Sequence, residues 1–118
     1  MHPDLTPLQE IHQLEQLLTE TATQPLLLFK HSYSCGISAE ALDELVDHLN
    51  SDRAGAVRYA MVTVQTHRDL SNAVAAKLGI RHETPQALIV RDGRVVWTAS
   101  HFRVTAKAVG AAIRAAAQ

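Results

Sequence analysis

Apolar residues recur along this chain with two different spacings, one typical of buried strands and one typical of amphipathic helices. Continuous apolar or β-rich runs predict strands at 25–31 (PLLLFKH), at 57–65 (VRYAMVTVQ) and on both sides of a turn between 84 and 100. Apolar positions at three- and four-residue spacing predict helices at 7–23, 39–48, 68–80 and 104–118. The run at 25–31 has no polar face, so we expect that strand to be buried on both sides.

Turn and cap residues mark the ends of these elements. Thr6-Pro7 predicts the start of the first helix, because proline fits the first helical position after a cap residue. Asp92-Gly93 predicts a two-residue hairpin turn between the last two strands. Four further boundaries follow from similar signals: an end of the first helix at Gln24-Pro25, an N-cap at Ser38, a loop at 50–55 and a C-terminal glycine at Gly79.

The resulting order of elements, α-β-α-β-α-β-β-α, predicts an α/β fold of the thioredoxin-like class. A β-α-β unit with a right-handed crossover makes its two strands parallel. The hairpin that follows adds an antiparallel pair. We therefore predict one domain over residues 1–118, with a mixed four-stranded sheet and helices on both faces.

Composition and charge narrow the classes of partner. The 118 residues are 47% apolar and carry a formal net charge of -1. The sequence has no run of five Lys or Arg residues, so we expect no nucleic-acid partner. No apolar run reaches the ~18 residues that a membrane span needs, so we expect no membrane partner. The first residues show no basic and apolar segments of a secretory signal. A single cysteine forms no internal disulfide, which is typical of a cytoplasmic protein.

Cys35 carries the candidate chemistry. It lies in the segment FKHSYSCGISAEAL, directly before a predicted helix, and the positive end of a helix favours a thiolate, the nucleophilic form of cysteine. In the C-x-x-S arrangement from Cys35 to Ser38, a hydroxyl replaces the second thiol of a redox pair. Ser38 is able to donate a hydrogen bond to the thiolate, but it cannot resolve a mixed disulfide, so an outside thiol must complete the reaction. The alternative is a buried structural cysteine with Ser38 as an ordinary N-cap.

Thr84-Pro85 falls at the start of a strand, where a proline that cannot donate to the sheet is tolerated. That strand runs antiparallel to the strand at 26–30, so its beginning lies at the sheet edge that holds Cys35. By analogy with the fold we favour a cis bond, which would expose the backbone of Thr84 to an extended substrate. A trans proline that begins an edge strand is the alternative.

Four histidines fall at the same sheet edge, because each follows or precedes a predicted strand: His31, His67, His82 and His101. An imidazolium near Cys35 would favour the thiolate, and a neutral imidazole could move protons, with His31 and His101 as the best candidates. The alternative is that these are ordinary loop histidines. We expect the others, His2, His12 and His48, to be solvated. No C-x₂-C or H-x₃-H pair is present, so we expect no metal site.

Several spaced motifs resemble those of one family. KHSYSCGIS resembles the pattern K-H-S-x-x-C-P-I-S, and RHETPQALIVRDGRVVW resembles an H-E-S-P-Q segment followed by a hairpin that ends in V-W. The histidine of ASH, after Trp97, resembles the closing histidine of that family. Together these motifs are similar to the monothiol bacilliredoxins of the bacillithiol system, first described as small general stress proteins. The resemblance extends from about Leu17 to the final helix.

The resemblance implies a cytoplasmic, thioredoxin-like oxidoreductase that removes bacillithiol from thiolated client proteins. It implies no bound cofactor, with bacillithiol or another low-molecular-weight thiol as co-substrate. By position, Cys35 is the nucleophile, and Ser38 is carried over as a second catalytic residue. The residues expected to contact substrate are Gly36, Thr84, Pro85, His31, His82, Glu83 and His101.

One position departs from the family pattern, because Gly36 replaces the proline that follows the cysteine. Glycine adds a donor and conformational freedom, so the reactivity of Cys35 could change in either direction. Two alternatives to catalysis stay open at this point. One is a peptide-binding module without turnover, and the other is a redox sensor that becomes thiolated under stress.

Overall fold

Five strands and four helices form the fold of residues 2–51 and 57–117, the part of the chain that the computed structural model describes. The strands are β1 Leu5–Pro7, β2 Leu26–His31, β3 Arg58–Thr63, β4 Gln86–Arg91 and β5 Arg94–Ser100. The helices are α1 Ile11–Glu20, α2 Gly36–Ser51, α3 Arg68–Leu78 and α4 Ala106–Ala116, and a 3-10 turn, His101–Arg103, follows β5. Residues 52–55 of the predicted loop lie outside the described residues, and residues 50 and 51 belong to α2.

The strands form one mixed sheet in the order β1-β3-β2-β4-β5. β3 is parallel to both β1 and β2, whereas β4 is antiparallel to β2 and to β5. One hydrophobic core lies between the sheet and the pair α2 and α4, and a second lies between the sheet and the pair α1 and α3. The predicted thioredoxin-like α/β class is therefore confirmed, with five strands instead of the predicted four.

The additional strand corrects the interpretation of Thr6-Pro7 as a helix start. Both residues lie in β1, where Thr6 is opposite Ala60 and Pro7 is opposite Met61 of β3. β1 is an edge strand, so the missing N–H of proline interrupts no inner ladder. The first helix begins four residues after Pro7, and Gln13 Oε1 accepts hydrogen bonds there from the N–H groups of Gln9 and Glu10 at 2.8 and 2.9 Å.

β2 lies in the middle of the sheet, and residues 26–30 are all buried, as the continuous apolar run predicts. Leu27 and Phe29 pack in the core beneath α2 and α4, whereas Leu26 and Leu28 pack in the core beneath α1 and α3. This alternation follows from the two-residue repeat of a strand. It fixes the end of β2 between two helical layers, which is where the loop to Cys35 begins.

Local turn chemistry agrees with the structure at two predicted boundaries. Asp92 and Gly93 have φ values of 54° and 75°, as the hairpin turn between β4 and β5 requires. Gly79 has a φ of 65° and ends α3, where its N–H donates to the carbonyl of Ala75. The predicted N-cap at Ser38 is wrong, because α2 already begins at Gly36 and Ser38 lies within its first turn.

The prediction that His48 is solvated is also wrong. His48 is fully buried, and its Nε2 lies 2.9 Å from the hydroxyl of Tyr59. It shares the buried face of α2 with Leu45 and Leu49, at the three- and four-residue spacing of one helix face. His2 is also largely covered, with Nε2 2.9 Å from Asn50 Oδ1, whereas His12 is exposed. No described helix is long and apolar enough to cross a lipid bilayer.

Candidate thiol site

Cys35 is a partly exposed free cysteine directly before the first residue of α2. Its carbonyl accepts the N–H of Ala39 at 3.1 Å, and its own N–H donates to the carbonyl of Ser32 at 3.4 Å. Cys35 is thus the residue from which the α-helical hydrogen-bond pattern begins. A negative charge at this position is stabilised by the free N–H groups and the dipole of the helix. The structure thus has Cys35 directly before a helix, as the sequence predicts, and its role as a nucleophile stays a prediction.

Ser38 has partners other than the one that the sequence predicts. Its Oγ accepts the backbone N–H of Ser32 at 2.9 Å and lies 2.8 Å from Nδ1 of His31. Burial lowers the pKa of His31 below its usual 6.5, so the imidazole is neutral at pH 7, and we assign Nδ1 as the acceptor of the Ser38 hydroxyl proton. The hydroxyl thus fixes the loop before Cys35 and is not free to donate to the sulfur. A direct role for Ser38 in catalysis stays a prediction.

Gln65 holds the loop that carries Cys35, and sequence reasoning missed this residue. Its Nε2 donates to Ser32 Oγ at 2.5 Å and to Ser34 Oγ at 3.0 Å, and its Oε1 accepts the N–H of Tyr33 at 3.3 Å. These contacts span more than thirty residues in sequence, so no local pattern could reveal them. One side chain therefore orders three consecutive residues immediately before Cys35.

Thr84-Pro85 is a cis peptide bond, as predicted. Lys30 pairs with Gln86 in the antiparallel ladder of β2 and β4, which places Pro85 at the level of His31, where the loop to Cys35 begins. The carbonyl of Pro85 accepts the N–H of His101 at 3.0 Å. The predicted convergence of these loops at one sheet edge is therefore present in the structure.

A buried lysine supports the loop before the proline, and sequence reasoning missed it. Lys30 is fully inaccessible to solvent, and its Nζ lies 2.6 Å from Nδ1 of His82, whose Nε2 is 3.3 Å from Thr84 Oγ1. Burial lowers the pKa of Lys30 from 10.5 to about 8. The pKa of His82 is also lowered, first by burial and then by the charges of Lys30 and Arg68. At pH 7 an ammonium therefore donates to a neutral imidazole.

Glu83 contacts Ser100, the last residue of β5. Its carboxylate accepts a hydrogen bond from the hydroxyl of Ser100, and this bond is the main reason that the pKa of Glu83 is lowered. Glu83 is therefore an anion at neutral pH, and it ties the loop at 81–84 to the end of β5. Carboxylate and hydroxyl together form one wall of a groove beside the 3-10 turn.

Two grooves open beside this sheet edge and share the turn at His101 and Phe102. One has a volume of about 360 Å³ and lies between α2 and the turn, and the other, of about 480 Å³, lies between the turn and the end of β5. His101 has a φ of 55°, a left-handed conformation that is uncommon outside glycine and recurs at functional sites. The side chain of Phe102 is 69% exposed. Open surface therefore lies on both sides of this turn.

The predicted histidines form hydrogen bonds with groups other than the Cys35 sulfur. His31 contacts Ser38, His82 contacts Lys30 and Thr84, and His101 extends the ladder to Pro85. His67 lies before α3 and contacts the hydroxyl of Thr66 at 2.8 Å. Gly36 has open space around its Cα and no left-handed φ. Within residues 2–51 and 57–117, no group of three His, Cys, Asp or Glu side chains could hold a metal ion.

The family model for the monothiol bacilliredoxin BrxC matches residues 6–109. A solved protein with a thioredoxin fold, to which an oxidoreductase activity is ascribed, is 30% identical; the match covers 98% of this chain and 95% of that one, with a TM-score of 0.80.

More distant structures share the fold alone. Thioredoxin from Malassezia sympodialis is 15% identical, with a TM-score of 0.76 over 97% of this chain and 91% of that one. Thioredoxin F from spinach chloroplast is 18% identical, with a TM-score of 0.72 over 98% and 88% of the two chains.

Proposed function

This chain belongs to the monothiol bacilliredoxin family, and we propose that it removes a low-molecular-weight thiol, bacillithiol, from protein mixed disulfides through Cys35. The family and its thioredoxin fold make it a thiol redox protein. The observation that supports the finer proposal is the position of its one cysteine. Cys35 is partly exposed directly before α2, whose first turn lines an open groove through Ile37. No second cysteine exists in the sequence to compete with an outside thiol.

The proposed reaction has two thiol–disulfide exchanges. The Cys35 thiolate attacks the bacillithiol sulfur of a thiolated client, so a disulfide between Cys35 and bacillithiol forms while the client disulfide breaks. The client leaves as a thiolate and takes up a proton from solvent. A second low-molecular-weight thiolate then attacks the bacillithiol sulfur on Cys35, which releases the Cys35 thiolate and a low-molecular-weight disulfide. The number of electrons is conserved, and neither a metal nor a prosthetic group takes part.

The groups around Cys35 have distinct proposed roles in this reaction. The N-terminus of α2 stabilises the thiolate both as attacking and as leaving group. Thr84 beside the cis bond offers backbone groups to an extended client segment, and His31 with Ser38 fixes the loop. The last exchange needs a reduced thiol pool, so we place the protein in the cytoplasm.

Intact-protein mass spectrometry tests the proposal. The parent protein and Cys35→Ser are exposed separately to oxidised bacillithiol and to oxidised glutathione, and transfer is then followed from a bacillithiolated client peptide. We expect the parent to gain one bacillithiol and to release the reduced peptide, and we expect Cys35→Ser to do neither. Ser34→Ala, next to the nucleophile, is the matched control and should retain transfer.

The alternative outcomes separate the other candidate functions. Modification of Cys35 without release of client peptide would contradict the enzyme and support a redox sensor. Preference for glutathione over bacillithiol would contradict the proposed co-substrate. Alkylation of Cys35 at different pH values gives an independent measurement, because a site that favours the thiolate reaches its half-maximal rate below the ~8.5 of a free thiol.

A further inference from the structure

The groove between α2 and the 3-10 turn has an apolar floor and an acidic edge. Ile37, Ala41 and Val104 line its floor, and Glu40 and Asp43 stand along its α2 side. Both carboxylates are exposed, and within the described residues neither forms an ion pair. This surface is therefore suited to a segment that combines apolar and basic side chains.

The wall opposite these two carboxylates belongs to the 3-10 turn. It carries His101 and the exposed ring of Phe102. A third carboxylate, Glu44, accepts the backbone N–H of Ala106 at 2.9 Å and so belongs to the N-terminus of α4. Two carboxylates, Glu40 and Asp43, thus remain available to a partner.

The distance from Cys35 determines where a basic side chain of the partner would lie. With a helical rise of 1.5 Å per residue, Glu40 is about 7.5 Å and Asp43 about 12 Å from Cys35 along the axis of α2. An extended segment advances about 3.3 Å per residue. A segment with its cysteine at Cys35 therefore brings residues about two to four positions away to these carboxylates.

We propose that this acidic groove holds the client segment next to the thiolated cysteine and selects segments with Lys or Arg two to four residues from it. The client as occupant rests on the proposed transfer reaction, whereas the preference for positive charge rests on Glu40 and Asp43. Phe102 and the apolar floor provide contact area for the neighbouring side chains. The groove gives the protein a charge preference among client proteins.

Two matched bacillithiolated peptides test this preference, one with Arg and one with Glu three residues from the cysteine. We expect kcat/KM to favour the Arg peptide by about two- to fivefold at low salt, because exposed charge pairs contribute modestly. This preference should decrease at high salt. Glu40→Gln or Asp43→Asn should each move the ratio towards one. Asp47→Asn changes an exposed charge of α2 that does not line the groove, and should leave the ratio unchanged.

A binding measurement separates docking from chemistry. The reduced peptides are titrated into Cys35→Ser, and the Arg peptide should bind about two- to fivefold more tightly. Equal binding of the two peptides, or a preference that survives both groove substitutions, would overturn the docking inference. If Cys35→Ser binds selectively while the parent transfers no thiol from either peptide, the proposed enzymatic function fails and the docking surface stands.

Discussion

Replacement of Lys30 by methionine should stabilise the protein at neutral pH. Lys30 is fully buried between the sheet and the loop at 81–84, and its hydrogen bond is to His82, a neutral group, instead of to a carboxylate. Arg68 adds a second positive charge in this region. Methionine has a similar length and no charge, so it retains the packing of the aliphatic stem and removes the cost of burying an ammonium.

The expected gain in stability follows from the lowered pKa of the buried Lys30 amine. Lowering the pKa of Lys30 from 10.5 to about 8 corresponds to about 3 kcal/mol at 1.36 kcal/mol for each tenfold change. The amine lies directly beneath exposed His82, so water screens part of this cost, and we expect about 1–2 kcal/mol. Because the folded pKa is lower than the unfolded one, the unfolded chain binds more protons between pH 8 and 10.5. The penalty is therefore complete below pH 8 and disappears as the pH rises through that window.

Urea unfolding of the parent and of Lys30→Met at pH 7, 8.5 and 9.5 measures this difference in free energy. The variant should be more stable by about 1–2 kcal/mol at pH 7, and the difference should fall to roughly 40% of that value at pH 9.5. Lys107→Met, at an exposed position of α4, is the matched control and should show no such pH dependence. A variant that is less stable than the parent at pH 7, or a difference that stays constant with pH, would refute the reasoning.

Two further predictions concern the loop around Cys35. Gly36→Pro introduces the residue of the family pattern at the first position of α2. Because proline reduces the conformational entropy of the unfolded chain, we expect the free energy of unfolding to rise by about 0.4–1 kcal/mol. A lower thermal midpoint in the variant would contradict this expectation. Gln65→Ala removes three hydrogen bonds to residues 32–34, so hydrogen exchange at the Tyr33 amide should accelerate about fivefold or more. Gln9→Ala is the control and should leave this exchange rate unchanged. Unaltered exchange at Tyr33 in Gln65→Ala would show that the loop is ordered by other contacts.

Most of the sheet and helices followed from short-range patterns because the forces that form them act within a few residues. The apolar run of β2, the Asp92-Gly93 turn and Gly79 each constrain their own backbone or their own burial. The prediction of a helix start at Thr6-Pro7 was wrong because it also relied on local chemistry alone. These two residues suit a helix start, but they pair with β3, which lies more than fifty residues later in the sequence and so cannot be seen from the local pattern.

At the candidate site, the sequence determined which chemistry is possible, and the tertiary structure decided which groups surround it. A single cysteine before a helix, with proline and histidines at strand ends, predicted a monothiol site at one sheet edge. Only the fold placed Gln65 on the loop before Cys35 and Lys30 beneath His82. It also redirected Ser38 to His31 and buried His48 against Tyr59. These contacts join residues on different elements, and hydrogen bonding and desolvation depend on distances in space that no local spacing encodes.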